Sequence, residues 1–282
     1  LFTLDSGLHG EAADAIARAD CVLAVGYDIA EHDPANWNPD GDRDVLHLDH
    51  EPAEVYERYN PDVELVCDVS AGLDRLDEVA DVTCDDSWYR EERAAIVEQS
   101  TDRPDVDDPV TVRNVLPLLR EAMADDDVLV SDVGSHKMAI ARHFPTYEPN
   151  TVIISNGLAS MGIAVPGGIA ADLALDDRVV VATGDGGFLM NAAELETATR
   201  LGCSYTVVVF RDDDYGLISE NQRAHRDAHT GTELSNPDFV QFAESFGVDA
   251  YRADAWDEIA DALDRAVDDD GMALVEIPLD AT

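Results

Sequence analysis

The residues best able to do chemistry are a carboxylate inside a glycine-rich turn and a second carboxylate further along the chain. The turn reads Gly-Asp-Gly-Gly at positions 184–187, and Asp212 follows Asp185 by 27 positions. The residues between them read as one helix and one strand, so a βαβ unit would bring both carboxylates to the same edge of a parallel sheet. Two carboxylates held together need a cation, and oxygen ligands favour Mg²⁺ or Ca²⁺. Because glycines let backbone N–H groups approach a phosphate closely, the unit predicts a magnesium–diphosphate anchor.

Predicted strands and helices alternate on both sides of this unit. A Gly/Ala-rich helix is expected at 157–175, and Asn191 with Glu194 forms a capping pattern for a helix at 192–201. Strands separated by helices indicate the α/β class, with doubly wound parallel sheets covered by helices on both faces. Apolar runs predict the strands of this region at 128–132, 151–154, 178–183, 205–210 and 273–277.

The chain divides into two predicted α/β parts with a charged segment between them. Residues 1–80 show a Rossmann-like succession of strand and helix patterns. They are predicted to be the C-terminal part of a domain, because no strand precedes the first helical pattern, at 11–19. Residues 81–108 carry many charges and few periodic apolar positions, so they are predicted to be a linker with a short helix near 89–99. Residues 109–282 form the predicted diphosphate-binding domain.

The composition of the chain is strongly acidic. Its 282 residues carry a formal net charge of −43, and Lys137 is the only lysine. Long apolar runs argue against disorder at this charge, and repulsion of phosphates argues against a nucleic-acid partner. Abundant Asp and Glu with almost no Lys is typical of a salt-filled cytoplasm, because the Debye length falls to about 3 Å in 1 M salt and self-repulsion is screened. We interpret the chain as a halophile's cytoplasmic protein.

No apolar run of membrane-spanning length is visible in the sequence, and its first residues show no signal-peptide pattern. A membrane partner is therefore not expected.

Four stretches together resemble the thiamine diphosphate-dependent enzymes, and among them the acetolactate synthases of the catabolic type. Their diphosphate motif is Gly-Asp-Gly followed one βαβ unit later by an Asn-Asn or Asn-Asp pair, which corresponds here to 184–186 and 211–212. The stretch 131–138 is similar to their Asp-(Ile/Val)-Gly-x-His segment, and 155–166 to their Gly-x-x-x-Met-Gly-x-x-x-Pro helix. Asn36-Trp-Asn38 resembles the central domain of the catabolic enzymes.

The resemblance implies a role for each candidate site residue. Asp185 and Asp212 would bind Mg²⁺ through their side chains and Asp214 through its backbone carbonyl, with diphosphate oxygens and water completing an octahedron. Met161 would hold thiamine bent, and the Ala159 carbonyl would accept the pyrimidine amine. The remaining residues implied to contact the cofactor are Gly134, Ser135, His136, Gly184, Gly186, Gly187 and Tyr215.

Three of these residues have a plain structural alternative. His136 taken without its motif reads as an exposed surface histidine. Met161 could be a core methionine on a helix of small residues, and Tyr215 could equally serve core packing.

Three positions depart from the family pattern. Arg211 stands where the family usually has the first Asn of the pair, and Asp212 adds a negative charge that requires magnesium or nearby cations. Asn221 corresponds to a Trp that helps the anabolic enzymes to accept 2-ketobutyrate, so it favours a catabolic-like use of pyruvate alone. The catabolic-like Asn36-Trp-Asn38 segment argues against FAD, which the anabolic relatives bind.

The activity implied by the resemblance is the condensation of two pyruvates to 2-acetolactate with loss of CO₂, dependent on thiamine diphosphate and Mg²⁺. In the family, the glutamate that activates the cofactor lies in an N-terminal pyrimidine-binding domain of the partner subunit. We therefore expect the chain to be a fragment without that domain, assign no catalytic residue to it and expect it to be inactive alone.

The full-length protein is expected to be a homodimer or homotetramer. Two alternatives stay open, namely a different thiamine diphosphate-dependent 2-keto acid decarboxylase and a non-catalytic subunit that binds thiamine diphosphate.

Overall fold

The computed structural model describes residues 16–29, 33–80, 89–226 and 228–280. The chain divides into two compact units, residues 2–99 and 100–282, and each contains its own parallel sheet. The helix predicted at 11–19 lies largely outside the described residues. Within the described ranges, no helix combines the length and apolar character needed to cross a membrane.

Among the described residues of the first unit, three parallel strands lie side by side in chain order. Its elements are β1 (Cys21–Val25), β2 (Asp44–Asp49), β3 (Val63–Val66) and α1 (Val69–Val79). Asp68 caps α1, because its carboxylate accepts the N–H of Ala71 at 2.9 Å. A further helix, α2 (Arg90–Thr101), forms within the segment predicted as a linker and crosses the boundary between the units.

The second unit contains the larger sheet. Its strands are β4 (Val128–Ser131), β5 (Val152–Ile154), β6 (Val179–Gly184), β7 (Thr206–Arg211), β8 (Asp249–Arg252) and β9 (Ala273–Pro278). Its helices are α3 (Val112–Ala122), α4 (Ser135–His143), α5 (Ala164–Ala174), α6 (Asp185–Asn191), α7 (Glu194–Leu201), α8 (Gly216–Arg226), α9 (Phe239–Glu244) and α10 (Trp256–Asp268).

The strand order in this sheet creates a crevice. All strands are parallel and lie in the order β5-β4-β6-β7-β9-β8. After β4 the chain moves to one side to form β5 and then crosses to the other side to form β6. The loops that leave β4 and β6 therefore diverge at the carboxyl ends of the strands, which is where open α/β sheets bind ligands.

Helices cover both faces of this sheet, and each face has its own hydrophobic core. One core contains Leu263 of α10 together with Val180, and the other contains Leu195 of α7 together with Val181. Adjacent residues of β6 thus point into opposite cores, as the pleat of a strand buried on both sides requires. The predicted doubly wound α/β class is confirmed.

Two local predictions were wrong. The helix expected at 157–175 begins only at Ala164, because the chain before it turns at Gly162, where φ is +85°. Asn191 does not cap the following helix, since α7 begins at Glu194 without a side-chain cap. The side-chain amide of Asn191 instead donates to the carbonyl of Gly162 at 2.7 Å.

Candidate functional site

A cavity lies at the carboxyl edge of the second sheet, where the loops after β4, β6 and β7 meet. Apolar side chains such as Val112, Phe210 and Ile218 complete its wall. Ala159 is the one predicted site residue outside the lining, and it is exposed on the segment before α5. The predicted residues that line the cavity are Gly134, Ser135, His136, Met161, Gly184, Asp185, Gly186, Gly187, Asp212, Asp214 and Tyr215.

Asp185 is the buried carboxylate of the cavity. It is the first residue of α6, only 1% exposed, and its Oδ1 accepts the N–H of Gly186 at 2.8 Å. Its Oδ2 accepts the N–H of Asp213 at 2.8 Å and an amide hydrogen of Asn236 at 2.6 Å. Burial raises the pKa of Asp185 despite these three hydrogen bonds.

Asp212 is the second carboxylate and lies directly after β7. Its Oδ1 accepts the N–H of Asp214 at 3.2 Å, and the residue as a whole is exposed. The pKa of Asp212 is raised to about 6, mainly by partial desolvation of the carboxylate and secondly by repulsion from Asp185. The βαβ unit therefore brings the two carboxylates close enough to oppose each other's ionisation.

Asp214 is held from the opposite side of the loop. Its backbone pairs with Glu233, and the next residue, Tyr215, donates its N–H to the carbonyl of Thr232 at 2.9 Å. The Nη2 atom of Arg223 lies 3.7 Å from the Asp214 carboxylate. The loop after β7 is thus tied to the segment that precedes α9.

Side-chain ligands alone do not complete a metal site. Among the described residues, no group of three or more His, Cys, Asp or Glu side chains is arranged to hold a metal ion. A cation beside Asp185 and Asp212 would need further oxygens from the backbone, water or a bound ligand, as hard cations such as Mg²⁺ commonly use.

Glycines allow the cavity walls to approach closely. A Cβ atom on Gly186 would lie 2.6 Å from the ring of Tyr215, and one on Gly216 would lie 2.9 Å from Oδ2 of Asp212. Larger residues at these positions would displace the neighbouring side chains or fill the space. Tyr215 therefore both packs against the turn and lines the cavity.

His136 is buried and lines the cavity, so its interpretation as an exposed surface histidine was wrong. It is 3% exposed, and its Nε2 has no hydrogen-bond partner among the described residues. Burial lowers the pKa of His136 to about 4, although nearby Asp132 opposes the shift. The ring is therefore neutral at pH 7 and offers one unsatisfied nitrogen, which is a group that a ligand could satisfy.

Met161 lines the cavity from a turn that is held by a buried aspartate. Asp132 is fully buried after β4, and its Oδ1 accepts the N–H of Gly162 at 2.8 Å. Its Oδ2 accepts the hydroxyl of Thr183 at 3.2 Å, and Asn191 holds the carbonyl of Gly162 from the other side. The position of Met161 is thus fixed by polar contacts at the next residue.

Sequence reasoning did not identify Asp132 or Asn236 as site-forming residues. Asp132 does carry a signal, since a carboxylate directly after a buried strand points toward the edge where ligands bind. Asn236 lies on an irregular segment far from the glycine-rich turn in sequence, and no motif marks it. Asn221, which was singled out, lies exposed on α8 and outside the cavity lining.

Substitution of Asp132 by Asn tests the buried acceptor. The amide can keep its oxygen toward the N–H of Gly162, but it then places hydrogens where Oδ2 accepts from the N–H of Ala164 and the hydroxyl of Thr183, so the variant should lose about 1–3 kcal/mol of unfolding free energy. Urea denaturation measures this loss, with exposed Asp177→Asn as the matched control. An equal effect of both substitutions would show that Asp132 does not organise the turn.

Substitution of Asp212 by Asn tests the repulsion between the carboxylates. The folded-state pKa of about 6 lies above the ordinary 3.8, so the cation-free folded chain holds this proton more tightly than the unfolded chain does. The contribution of Asp212 to stability therefore falls as the pH rises through that window. As the pH rises from 3.8 to about 6, the melting temperature of Asp212→Asn should increase relative to that of the wild type, and the difference should stay constant at higher pH.

Thermal unfolding in EDTA across this range checks the effect, with exposed Asp254→Asn as the control. A constant offset between variant and wild type would contradict the assigned repulsion.

Two family models match this chain. The family model described as "Thiamine pyrophosphate enzyme, C-terminal TPP binding domain" matches residues 132–277. The model described as "Thiamine pyrophosphate enzyme, central domain" matches residues 2–76.

Several curated proteins are similar over almost the whole chain. "Acetolactate synthase" of Bacillus subtilis is 33% identical over 94% of this chain and 48% of its own length. "Acetolactate synthase, catabolic" of Raoultella terrigena is 32% identical over 96% of the chain and 50% of its own length. "Putative thiamine pyrophosphate-containing protein YdaP" of Bacillus subtilis is 32% identical over 94% of the chain and 46% of its own length. The chain spans about half the length of these relatives, and it belongs to the thiamine pyrophosphate enzyme family.

Proposed function

We propose that this chain is the diphosphate-anchoring part of a thiamine diphosphate- and Mg²⁺-dependent acetolactate synthase that condenses two pyruvates with loss of CO₂. The observation that carries the proposal is the pair Asp185 and Asp212, which share the wall of one cavity with nearly all the other predicted site residues. The relatives named as acetolactate synthases support the substrate class.

The charges around the cavity fit a divalent cation. Asp213 is paired with Arg211 at 2.8 Å, and Arg223 lies near Asp214. Within the described part of the chain, Asp185 and Asp212 have no cationic side chain within ion-pair distance. Two carboxylates in this state supply the charge that Mg²⁺ neutralises, and their oxygens are the ligands it prefers. The carbonyl of Asp214 is proposed as a further ligand.

The cavity also fits an anionic cofactor. Nε2 of neutral His136, which has no hydrogen-bond partner among the described residues, can donate to a diphosphate oxygen in the tautomer that carries the proton on Nε2, and Gly134 and Ser135 lie at the start of α4 beside it. Gly186 and Gly187 leave room for the diphosphate close to the backbone. Met161 presents an apolar side chain to the same cavity, which supports its proposed role as the support for bent thiamine.

In the proposed reaction, bound thiamine diphosphate supplies the reactive carbon to which the 2-keto acid adds before it loses CO₂. The residues of this chain anchor and orient that cofactor. Asp185 and Asp212 would hold the cation, His136 would contact the diphosphate, and Val112 and Ile218 would offer apolar surface to the bound cofactor.

A second candidate is a decarboxylase for a different 2-keto acid. It is favoured by the similarity to a relative named only as a thiamine pyrophosphate-containing protein, which is nearly as high as that to the acetolactate synthases. A non-catalytic cofactor-binding subunit is the third proposal. We further propose that the protein works in a salt-rich cytoplasm as a homo-oligomer and without FAD.

Calorimetric titration with thiamine diphosphate in multimolar KCl tests the anchor. Binding should require Mg²⁺, and Asp185→Ala should weaken it by more than about 100-fold, since loss of a direct ligand exceeds the usual effect of losing a group that only orients one. Exposed Asp261→Ala on α10 is the matched control. Magnesium-independent binding, or equal binding by both variants, would sink the proposed anchor.

Product analysis tests the reaction. The full-length protein should convert pyruvate to 2-acetolactate and CO₂, whereas the 282-residue chain should bind cofactor without turnover, because the family's activating glutamate is expected in another domain. Release of an aldehyde without 2-acetolactate would favour the decarboxylase. Turnover by the chain alone would contradict the expected location of that glutamate.

A further inference from the structure

A buried ion-pair network connects the edge of the second sheet to the loop that carries Asp212. Glu276 of β9 is fully buried, and its Oε1 lies 3.0 Å from Nη1 of Arg211 at the end of β7. Its Oε2 accepts from Nη2 and Nε of Arg252 in β8, at 2.8 and 3.0 Å. The buried carboxylate is thus bracketed by two guanidinium groups, which offset the cost of removing its charge from water.

The same guanidinium of Arg211 also forms a bidentate ion pair with Asp213. Nε lies 2.8 Å from Oδ1 and Nη2 lies 3.3 Å from Oδ2, so two donors of the planar fork meet both carboxylate oxygens. Asp213 has φ of +57°, in the left-handed region that is unfavourable for a residue with a Cβ atom. Arg211 thus contacts one of the two described non-glycine residues with positive φ.

The left-handed conformation of Asp213 directs its backbone to specific partners. Its N–H donates to Oδ2 of Asp185 at 2.8 Å, and its carbonyl accepts the N–H of Leu234 at 2.8 Å. Asn236 lies between the two aspartates, donating to Asp185 Oδ2 at 2.6 Å and to Asp213 Oδ1 at 2.7 Å. Asp212 precedes this residue and Asp214 follows it, so its conformation sets where both of them lie.

We propose that Arg211, anchored on buried Glu276, is a positioning residue that holds Asp213 in the left-handed conformation and so presents Asp212 and Asp214 to the cation. The cation rests on the proposed function, whereas the positioning of the turn is a property of the chain itself.

Amide hydrogen exchange in the cation-free chain, followed by NMR, tests the positioning. Arg211→Gln should speed exchange of the Asp213 and Leu234 amides about tenfold, the size expected when left-handed strain is no longer opposed. Adding Asp213→Gly should restore slow exchange at both amides, because glycine adopts positive φ without that strain. Arg200→Gln, which breaks the exposed pair with Glu196, is the matched control.

Arg211→Lys is the control that separates loss of positioning from a general folding defect. Lysine can keep the ion pair with Glu276 but cannot form the fork, so exchange at Asp213 should still quicken while the melting temperature stays near that of the wild type. Unchanged exchange in both Arg211 variants would overturn the proposal. Faster exchange along all of β7 that Asp213→Gly fails to reverse would also overturn it. Arg211 would then stabilise the pairing of β7 with β9 without positioning Asp213.

Calorimetric titration with Mg²⁺ and thiamine diphosphate separates this proposal from the proposed function. Arg211→Gln should weaken the affinity about tenfold, and the added Asp213→Gly should restore it. If the wild type fails to bind, the proposed function fails, and the exchange experiment still decides the role of Arg211. If the wild type and Arg211→Gln bind equally well, the presentation of Asp212 and Asp214 by Arg211 is excluded.

Discussion

The carboxylate of Asp185 is the group on which the geometry of the cavity depends. It starts α6 after one strand, and it accepts hydrogen bonds from the loop after the neighbouring strand and from the segment before α9. Three parts of the chain are therefore oriented by one buried side chain. Since each donor comes from an uncharged group, these bonds position the carboxylate without neutralising it, and the charge remains available to a cation.

Each carboxylate near Asp185 is handled in a different way. Asp132 is buried among neutral donors and organises the turn after Met161, and Asp213 is paired with Arg211. Among the described residues, Asp212 has no cationic side chain within ion-pair distance, and desolvation followed in size by repulsion from Asp185 raises its pKa. Asp132 and Asp213 thus serve the structure of their loops, whereas the ionisation of Asp212 is opposed by its surroundings. Carboxylates with such a shifted pKa cluster at sites that bind a ligand.

The sequence predicted the parts of the fold and site that depend on local pattern. The sequence predicted one helix and one strand between Asp185 and Asp212, whereas the structure has two short helices, α6 and α7, before β7, and the apolar runs placed β6 and β7 to within one residue. The helix expected at 157–175 failed because small apolar residues favour a helix as strongly as they allow a turn. The turn at Gly162 is imposed by Asp132, 30 positions earlier in the chain.

Long-range pairing also explains what was missed. Glu276 could be recognised as a buried partner of Arg211 only after β7 and β9 were known to be neighbours, because 65 positions separate the two residues. Asn236 reaches Asp185 across 51 positions from a segment without regular structure. No periodicity or motif encodes such contacts, so sequence patterns identify the strands of the site but not the groups that hold its loops.

The overall charge of the chain constrains how an anionic ligand could reach this cavity. A free diphosphate would approach a chain of net charge −43 and enter a site where, in the described part of the chain, Asp185 and Asp212 have no cationic partner. Salt screens the distant charges over about 3 Å at 1 M, but it screens much less the two carboxylates that line the cavity itself. Under the proposed function, the cation must therefore bind before the diphosphate or together with it. Neutral His136 and the glycine backbone would then contribute hydrogen bonds without adding repulsion, so selectivity for the magnesium complex follows from the same two carboxylates that repel each other.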